Sequence, residues 1–166
     1  MAKPEGRPPG KIDLTFLLLG ALPVILLYFP GLAGQGTLVP TDYPYRFLPF
    51  RPFAAEQGVP PVQNELSADL LLENYVWKSF ARAELSQGRL PLWNPYIFGG
   101  TPFLAGYQPA VLYPLGVIFW VLPLHLAYAW FNALHHWLGV VFMYLFLRRV
   151  GLGRPAALFG GLAYGL

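Results

Sequence analysis

The chain has 166 residues, of which 55% are hydrophobic, 17% aromatic and only 11% charged, and it carries a net charge of +3. A soluble domain usually carries about 25% charged residues, so too little polar surface is present to coat a globule of this size and lipid is expected to solvate part of it. No cysteine is present, which excludes disulfides, thiolate metal sites and cysteine nucleophiles.

In chain order, residues 1–12 are a short basic segment expected to be cytoplasmic, and 13–30 form a first transmembrane helix built on LTFLLLGALPVILLYF. Pro23 is tolerable inside a span, where neighbouring helices satisfy the freed carbonyl. Lys3, Arg7 and Lys11 before an apolar run also suit a signal peptide. The run, however, ends in Tyr28-Phe29-Pro30 and not in a small-residue cleavage site, which favours an uncleaved anchor. A second span is expected over 127–147, followed by a turn at 148–154 holding Arg148, Arg149 and Arg154. Residues 155–166 then read as the start of a third span, as in the N-terminal part of a longer polytopic protein.

Six of the eleven basic residues flank these apolar segments. The excess of Lys and Arg on the cytoplasmic side of membrane proteins puts both clusters inside and the segment 31–126 outside. That topology demotes 109–125, apolar enough to pass for a span, to an interfacial helix.

The outer segment is not a nucleic-acid surface, because its acidic and basic residues nearly balance. Prolines 40, 44, 49 and 52 forbid a regular helix or central strand, and an extended aromatic segment is expected there. Residues 68–87 are the one soluble-type amphipathic helix, with Leu72, Val76, Phe80 and Ala83 at helical spacing, Ser67 as N-cap and Gly88 as the stop. Beyond it, Pro91, Pro95, Pro102, Pro109 and Pro114 alternate with aromatics and with Gly99-Gly100, a pattern of successive turns.

The string SADLLLENYVWKSFARAELSQGRLPLWNPYIFGGTPFLAGYQPAVLYPL, followed by YLFLRRVGLGRPAALFGGLAYGL, resembles the YfhO-like bacterial membrane proteins over roughly residues 35–166. That resemblance implies an all-α integral membrane fold similar to the C-type membrane glycosyltransferases, with a large extracytoplasmic loop carrying membrane-parallel helices. It implies transfer of a sugar from a polyprenyl-phosphate donor to a cell-envelope acceptor on the outer face of the bacterial cytoplasmic membrane. The alternative is a non-catalytic multi-pass protein that binds or moves a lipid-linked substrate.

Inverting transfer needs a carboxylate to take the acceptor's hydroxyl proton and a cation to meet the departing phosphate. Asp69, which opens the amphipathic helix ahead of Glu73-Asn74-Tyr75, is the first candidate base; its structural alternative is a first-turn aspartate that complements the helix dipole. Asp42 in TDYPY is the second, with a turn residue before Pro44 as its alternative. Glu73 is a candidate to share a divalent cation with Asp69, although two carboxylates make a weak metal signature. Lys78 and Arg82, with Arg46, Arg51 and Arg89, are candidates for a lipid phosphate against the plainer reading of solvated charges. Trp93, Asn94, Tyr96 and Gln108 belong to the family-like string, and stacking of Trp93 or Tyr96 on a sugar competes with simple loop packing. Of His135 and His136, inside the second span, adjacency lets at most one face a site.

Overall fold

The computed structural model describes residues 11–62 and 64–166, and the chain is mostly helical. Its elements, in order, are α1 (Lys11–Leu32), α2 (Val76–Ser86), a hairpin of β1 (Trp93–Asn94) and β2 (Thr101–Pro102), α3 (Val117–Val121), α4 (Leu124–Arg149) and α5 (Arg154–Gly165), joined by short 3-10 turns. Two of them, Asp13–Leu32 and Leu124–Arg149, are long and apolar enough to cross a membrane. The chain divides into two compact units, Met1–Gln35 with Ala129–Leu166 and Gly36–Tyr128, the boundary falling inside α4.

In the first unit α1 is apolar on every side, and Leu18, Leu22, Leu26 and Leu27 remain half exposed or more. A helix apolar all round is suited to a buried or lipid setting, not to water. One side of it packs: Val24 joins Ala133 and Val140 of α4 in a core closed by Tyr28, Trp137 and Leu162. Small residues permit the close approaches. A Cβ on Gly161 of α5 would lie 2.8 Å from the Val140 carbonyl, and one on Gly31 would lie 2.6 Å from Ala129 Cβ. The link 150–153 between α4 and α5 is a tight turn in which Gly151 takes φ 102°.

The second unit departs from the sequence-based expectation in three places. The segment 37–53 is not extended. It winds into 3-10 turns at Tyr43–Arg46 and Arg51–Phe53, each with a proline in its first two positions. Proline's fixed φ and missing N–H are compatible with the opening of a turn even where they forbid a long helix.

The amphipathic helix begins with a π-turn, Leu70–Tyr75, before α2. The face that packs is set by Lys78 and Ala81, with Trp77, Phe80 and Leu85 against Phe103 and Val111, while Leu72 and Val76 stay exposed. Of the four residues expected at helical spacing, Phe80 packs on this core, while Leu72, Val76 and Ala83 are exposed. The stop at Gly88 is as expected: Gly88 has φ 71°, its N–H donates to Leu85 O, and Arg89 N–H donates to Glu84 O, the paired bonds of a Schellman motif.

The helix expected over 109–125 shrinks to a 3-10 turn at Pro114–Gly116 and the five residues of α3. Leu122, preceding Pro123, is extended at ψ 153°, as the proline ring demands of its predecessor, and α4 starts at Leu124.

Candidate functional site

In the second unit the chain doubles back so that 36–45 and 58–67 line one groove. Val39, nearly fully buried, anchors the first strand of chain, and its N–H donates to Thr37 Oγ1 at 3.2 Å. The Tyr43 N–H donates to Pro40 O and the Tyr45 N–H to Asp42 O, both at 3.1 Å, which winds the chain around Asp42. Asp42 stands at the N-terminal position of the turn Tyr43–Arg46 without a side-chain capping bond to it. Within the returning arm, Asn64 Oδ1 accepts from Leu66 N–H two residues on, at 3.0 Å.

Two open grooves meet at Asp42 and Tyr45. One, of about 750 Å³, adds Thr37, Thr41, Asn64 and Ser67, a lining of hydroxyls and an amide. The other, of about 940 Å³, adds Arg46 and Arg51. The Arg46 guanidinium lies 5.7 Å from the centroid of the Phe47 ring, which orients it by cation–π attraction. The half-buried carboxylate thus borders a neutral polar groove on one side and a groove with two guanidinium-bearing residues on the other.

The other sequence-selected residues lie elsewhere in this unit. Asp69 is exposed, precedes the π-turn with no capping bond, and lines neither groove; Glu73, within the π-turn, is exposed too. Lys78 is buried, and its Nζ donates to Pro109 O at 2.6 Å while standing 4.7 Å from the Phe119 ring centroid and 5.5 Å from that of Trp120. Burial pushes the Lys78 ammonium down to about 8. Arg82, one turn further along α2, donates through Nη1 to Leu122 O, the carbonyl just past α3. These two cations therefore hold the 109–122 segment to α2. They resemble a clamp more than a phosphate cradle.

Trp93 packs on Gly100 so closely that a Cβ there would lie 2.5 Å from its Nε1. Asn94 is buried with its Oδ1 accepting from Tyr96 N–H at 3.0 Å, and Tyr96 is mostly exposed with its ring edge-on to Phe80 at 6.0 Å. Gln108 is exposed in a turn. Asn74 Oδ1 accepts from Tyr128 Oη at 2.9 Å, a bond that ties the π-turn to the first residues of α4.

The residue sequence reasoning passed over is Asp13, in the first unit. It is 4% exposed, and its Oδ1 accepts from Tyr144 Oη at 2.7 Å and from Arg154 Nε at 3.1 Å, with Arg148 Nε 3.4 Å away. One carboxylate thus gathers a tyrosine and two arginines from α4 and α5 around the start of α1. The available signal was an acid beside an apolar run whose ends elsewhere carry arginine. On α4, His135 Nδ1 donates to its own helix at Phe131 O (2.6 Å). His136 meets Tyr28 edge-on at 5.4 Å, with a buried Nδ1 that has no hydrogen-bond partner among the described residues.

Among the described residues no three His, Asp or Glu side chains come together as a group able to hold a metal ion. No family model, curated protein or solved structure matches the chain.

Proposed function

We propose that this chain belongs to a YfhO-like membrane glycosyltransferase of the bacterial cytoplasmic membrane, which moves a sugar from a polyprenyl-phosphate donor to an extracytoplasmic acceptor. In this reading α1 and α4 cross the bilayer, the N-terminus and Arg148–Arg154 are cytoplasmic, and Gly36–Tyr128 faces outward. The observation that carries the chemistry is Asp42 and Tyr45 shared between a neutral polar groove and one lined by Arg46 and Arg51. The neutral groove suits an acceptor sugar, whose hydroxyls pair with Thr, Ser and Asn side chains. The other suits a lipid phosphate, which arginine binds through its forked donors.

The step needs little machinery. Asp42 takes the proton from an acceptor hydroxyl as that oxygen bonds to the anomeric carbon, and the bond from that carbon to the donor phosphate oxygen breaks. Arg46 and Arg51 meet the negative charge left on the departing lipid phosphate. Asp42 is preferred to Asp69 as the base because it borders both grooves, while Asp69 is exposed and borders neither.

The test is Asp42→Asn beside Asp69→Asn in the full protein in its own membrane, scored by cell-envelope glycosylation at matched expression. Asp42→Asn is expected to lower transfer by about 10²–10⁴-fold, the usual range for a lost general base. Unchanged glycosylation in both variants would remove the catalytic reading and leave the non-catalytic lipid-substrate protein. Topology is tested separately by a reporter fused after Arg154, which should register as cytoplasmic.

A further inference from the structure

The eleven charged residues of the second unit all lie between Asp42 and Arg89; from Leu90 to Leu147 the chain carries no Asp, Glu, Lys or Arg. The uncharged stretch up to α3 nevertheless exposes large side chains. Phe98 is 95% exposed, Tyr107 84%, Tyr96 82% and Leu112 72%. Leu92, Tyr107, Leu112 and Tyr113 line one apolar cleft of about 470 Å³. Phe98 and Tyr107 sit in the left-handed backbone region, at φ 52° and 57°, a strained conformation for a bulky residue. Such strain is retained where the position of the side chain matters.

The backbone of this stretch is unusually well prepared for a medium poor in water. Five prolines between 91 and 114 remove N–H donors outright. Several of the remaining donors are closed inside the chain: Phe103 N–H to Leu92 O across the hairpin, and Gly100 N–H to Ile97 O, Ala110 N–H to Tyr107 O and Tyr113 N–H to Ala110 O in local turns, all within 2.8–3.1 Å. Each donor removed or closed in this way lowers the cost of leaving water, and at the headgroup level the remaining carbonyls still meet water and lipid headgroups. Tyrosine and tryptophan, with an apolar body and a polar tip, are the side chains that concentrate at the headgroup level. The stretch also leads, within three residues of α3, into a helix of membrane-spanning length.

We propose that residues 90–113, the hairpin and the turns that follow it, dock into the interfacial layer of the bilayer, with Phe98 and the Tyr107–Leu112 cleft facing lipid. The occupant is bulk phospholipid, and the charged stretch 42–89 with the Asp42 grooves stays in water. The proposal rests on the membrane crossing described above but not on the glycosyl-transfer chemistry. It gives the prolines a reason besides turn-making, the removal of donors that lipid would not satisfy.

The absence of cysteine lets single spin labels be placed without a background. The full chain, in phosphatidylcholine vesicles, carries a label at Phe98→Cys, Leu112→Cys, Gln57→Cys or Leu26→Cys, and each label is read by collision with oxygen and with a water-soluble nickel chelate. Labels at Phe98 and Leu112 should favour oxygen, shifted from the exposed Gln57 towards the exposed Leu26 of α1, at a depth of about 5–10 Å below the headgroup boundary. Nickel accessibility equal to that at Gln57 overturns the proposal, as does a label screened from both reagents, the mark of a protein cover. A nickel-accessible label at Leu26 would instead sink the membrane crossing itself.

Discussion

Among the described residues each unit buries one charged side chain, and the two are accommodated in opposite ways. Asp13 in the first unit is met by formal charge: two arginines and a tyrosine converge on one carboxylate. Lys78 in the second has a backbone carbonyl and two aromatic faces. The contrast follows from the surroundings. Asp13 stands at the end of an apolar helix with arginines from two other helix ends beside it, so desolvation is offset by Coulomb attraction. Lys78 sits under a proline-rich segment with carbonyls to spare, because each proline removes a donor and leaves an acceptor. An ionic solution binds elements tightly and fails badly when one partner is lost. A dipolar solution is milder in both respects.

The largest effect should therefore come from Asp13→Ala, which strands Arg148 and Arg154 beside a buried tyrosine. Removing one partner of a fully buried pair costs about 3–5 kcal/mol; the two arginines keep partial access to water, so a loss at the lower end, about 3 kcal/mol, should appear in thermal unfolding in detergent. A loss below 1 kcal/mol would mean that the two arginines find water easily, and the contrast between the units would collapse. Next in size is Gly100→Ala. Gly100 has φ 120°, and its missing Cβ is the space the Trp93 indole fills, so alanine meets both backbone strain and a ring. A cost of about 1–3 kcal/mol is expected, seen as faster amide exchange across Trp93–Pro102.

Lys78→Met is smaller. The side-chain volume over Phe119 and Trp120 is kept, one hydrogen bond to Pro109 O is lost, and a desolvated charge disappears, for a net cost of about 1 kcal/mol. The wild-type protein carries a pH signature that this variant should lack. Lys78 is held down to about 8 in the folded unit, against an ordinary value near 10.5. Between those two values the unfolded chain binds more protons than the folded one, so stability rises with pH across that window and is flat below it. Amide protection of the second unit measured at pH 7.5 and pH 9.5, corrected for intrinsic exchange, should increase in the wild type, and this Lys78-dependent increase should be absent in Lys78→Met.

How far the sequence foretold this depends on whether the deciding contact is local. The two long apolar helices and the Gly88 stop are local features of composition and backbone freedom, and both are readable. Lys78 and Arg82 read as candidates for a lipid phosphate or as solvated charges, because their partners, Pro109 and Leu122, lie 31 and 40 residues away. The π-turn at Leu70–Tyr75 has no marker in residue type, and the face of α2 that is buried is chosen by Phe103 and Val111, which lie well beyond the helix in sequence. Prolines 44 and 52 do exclude a long helix, but the same fixed φ opens a 3-10 turn, so the exclusion did not imply an extended chain. Asp13 was hidden by its neighbours: in a run read for its leucines, one acid counts as the end of a span, and only the return of α4 and α5 gives it partners 131 and 141 residues on. Asp42 was legible as a candidate, while the grooves that set it apart from Asp69 depend on the fold-back of 58–67.

The smallest effect belongs to the pair that looks strongest by distance alone. Arg89 Nη2 lies 2.8 Å from Glu84 Oε1, and its Nε lies 2.9 Å from Oε2, a two-pronged contact at the end of α2 that is shorter than either arginine contact of Asp13. The hydrogen bonds from Arg89 hold the Glu84 carboxyl below its ordinary value. Yet Arg89 and Glu84 are 55% and 22% exposed, against 37% and 6% for Arg154 and Asp13, so water and salt screen the first pair more than the second. Glu84→Gln should leave the unfolding midpoint within experimental scatter, and the Schellman bonds through Gly88 should keep the end of α2 in place without the ion pair. A clear destabilisation that fades in high salt would show that geometry outweighs burial here, and the ranking of the two ion pairs would have to be reversed.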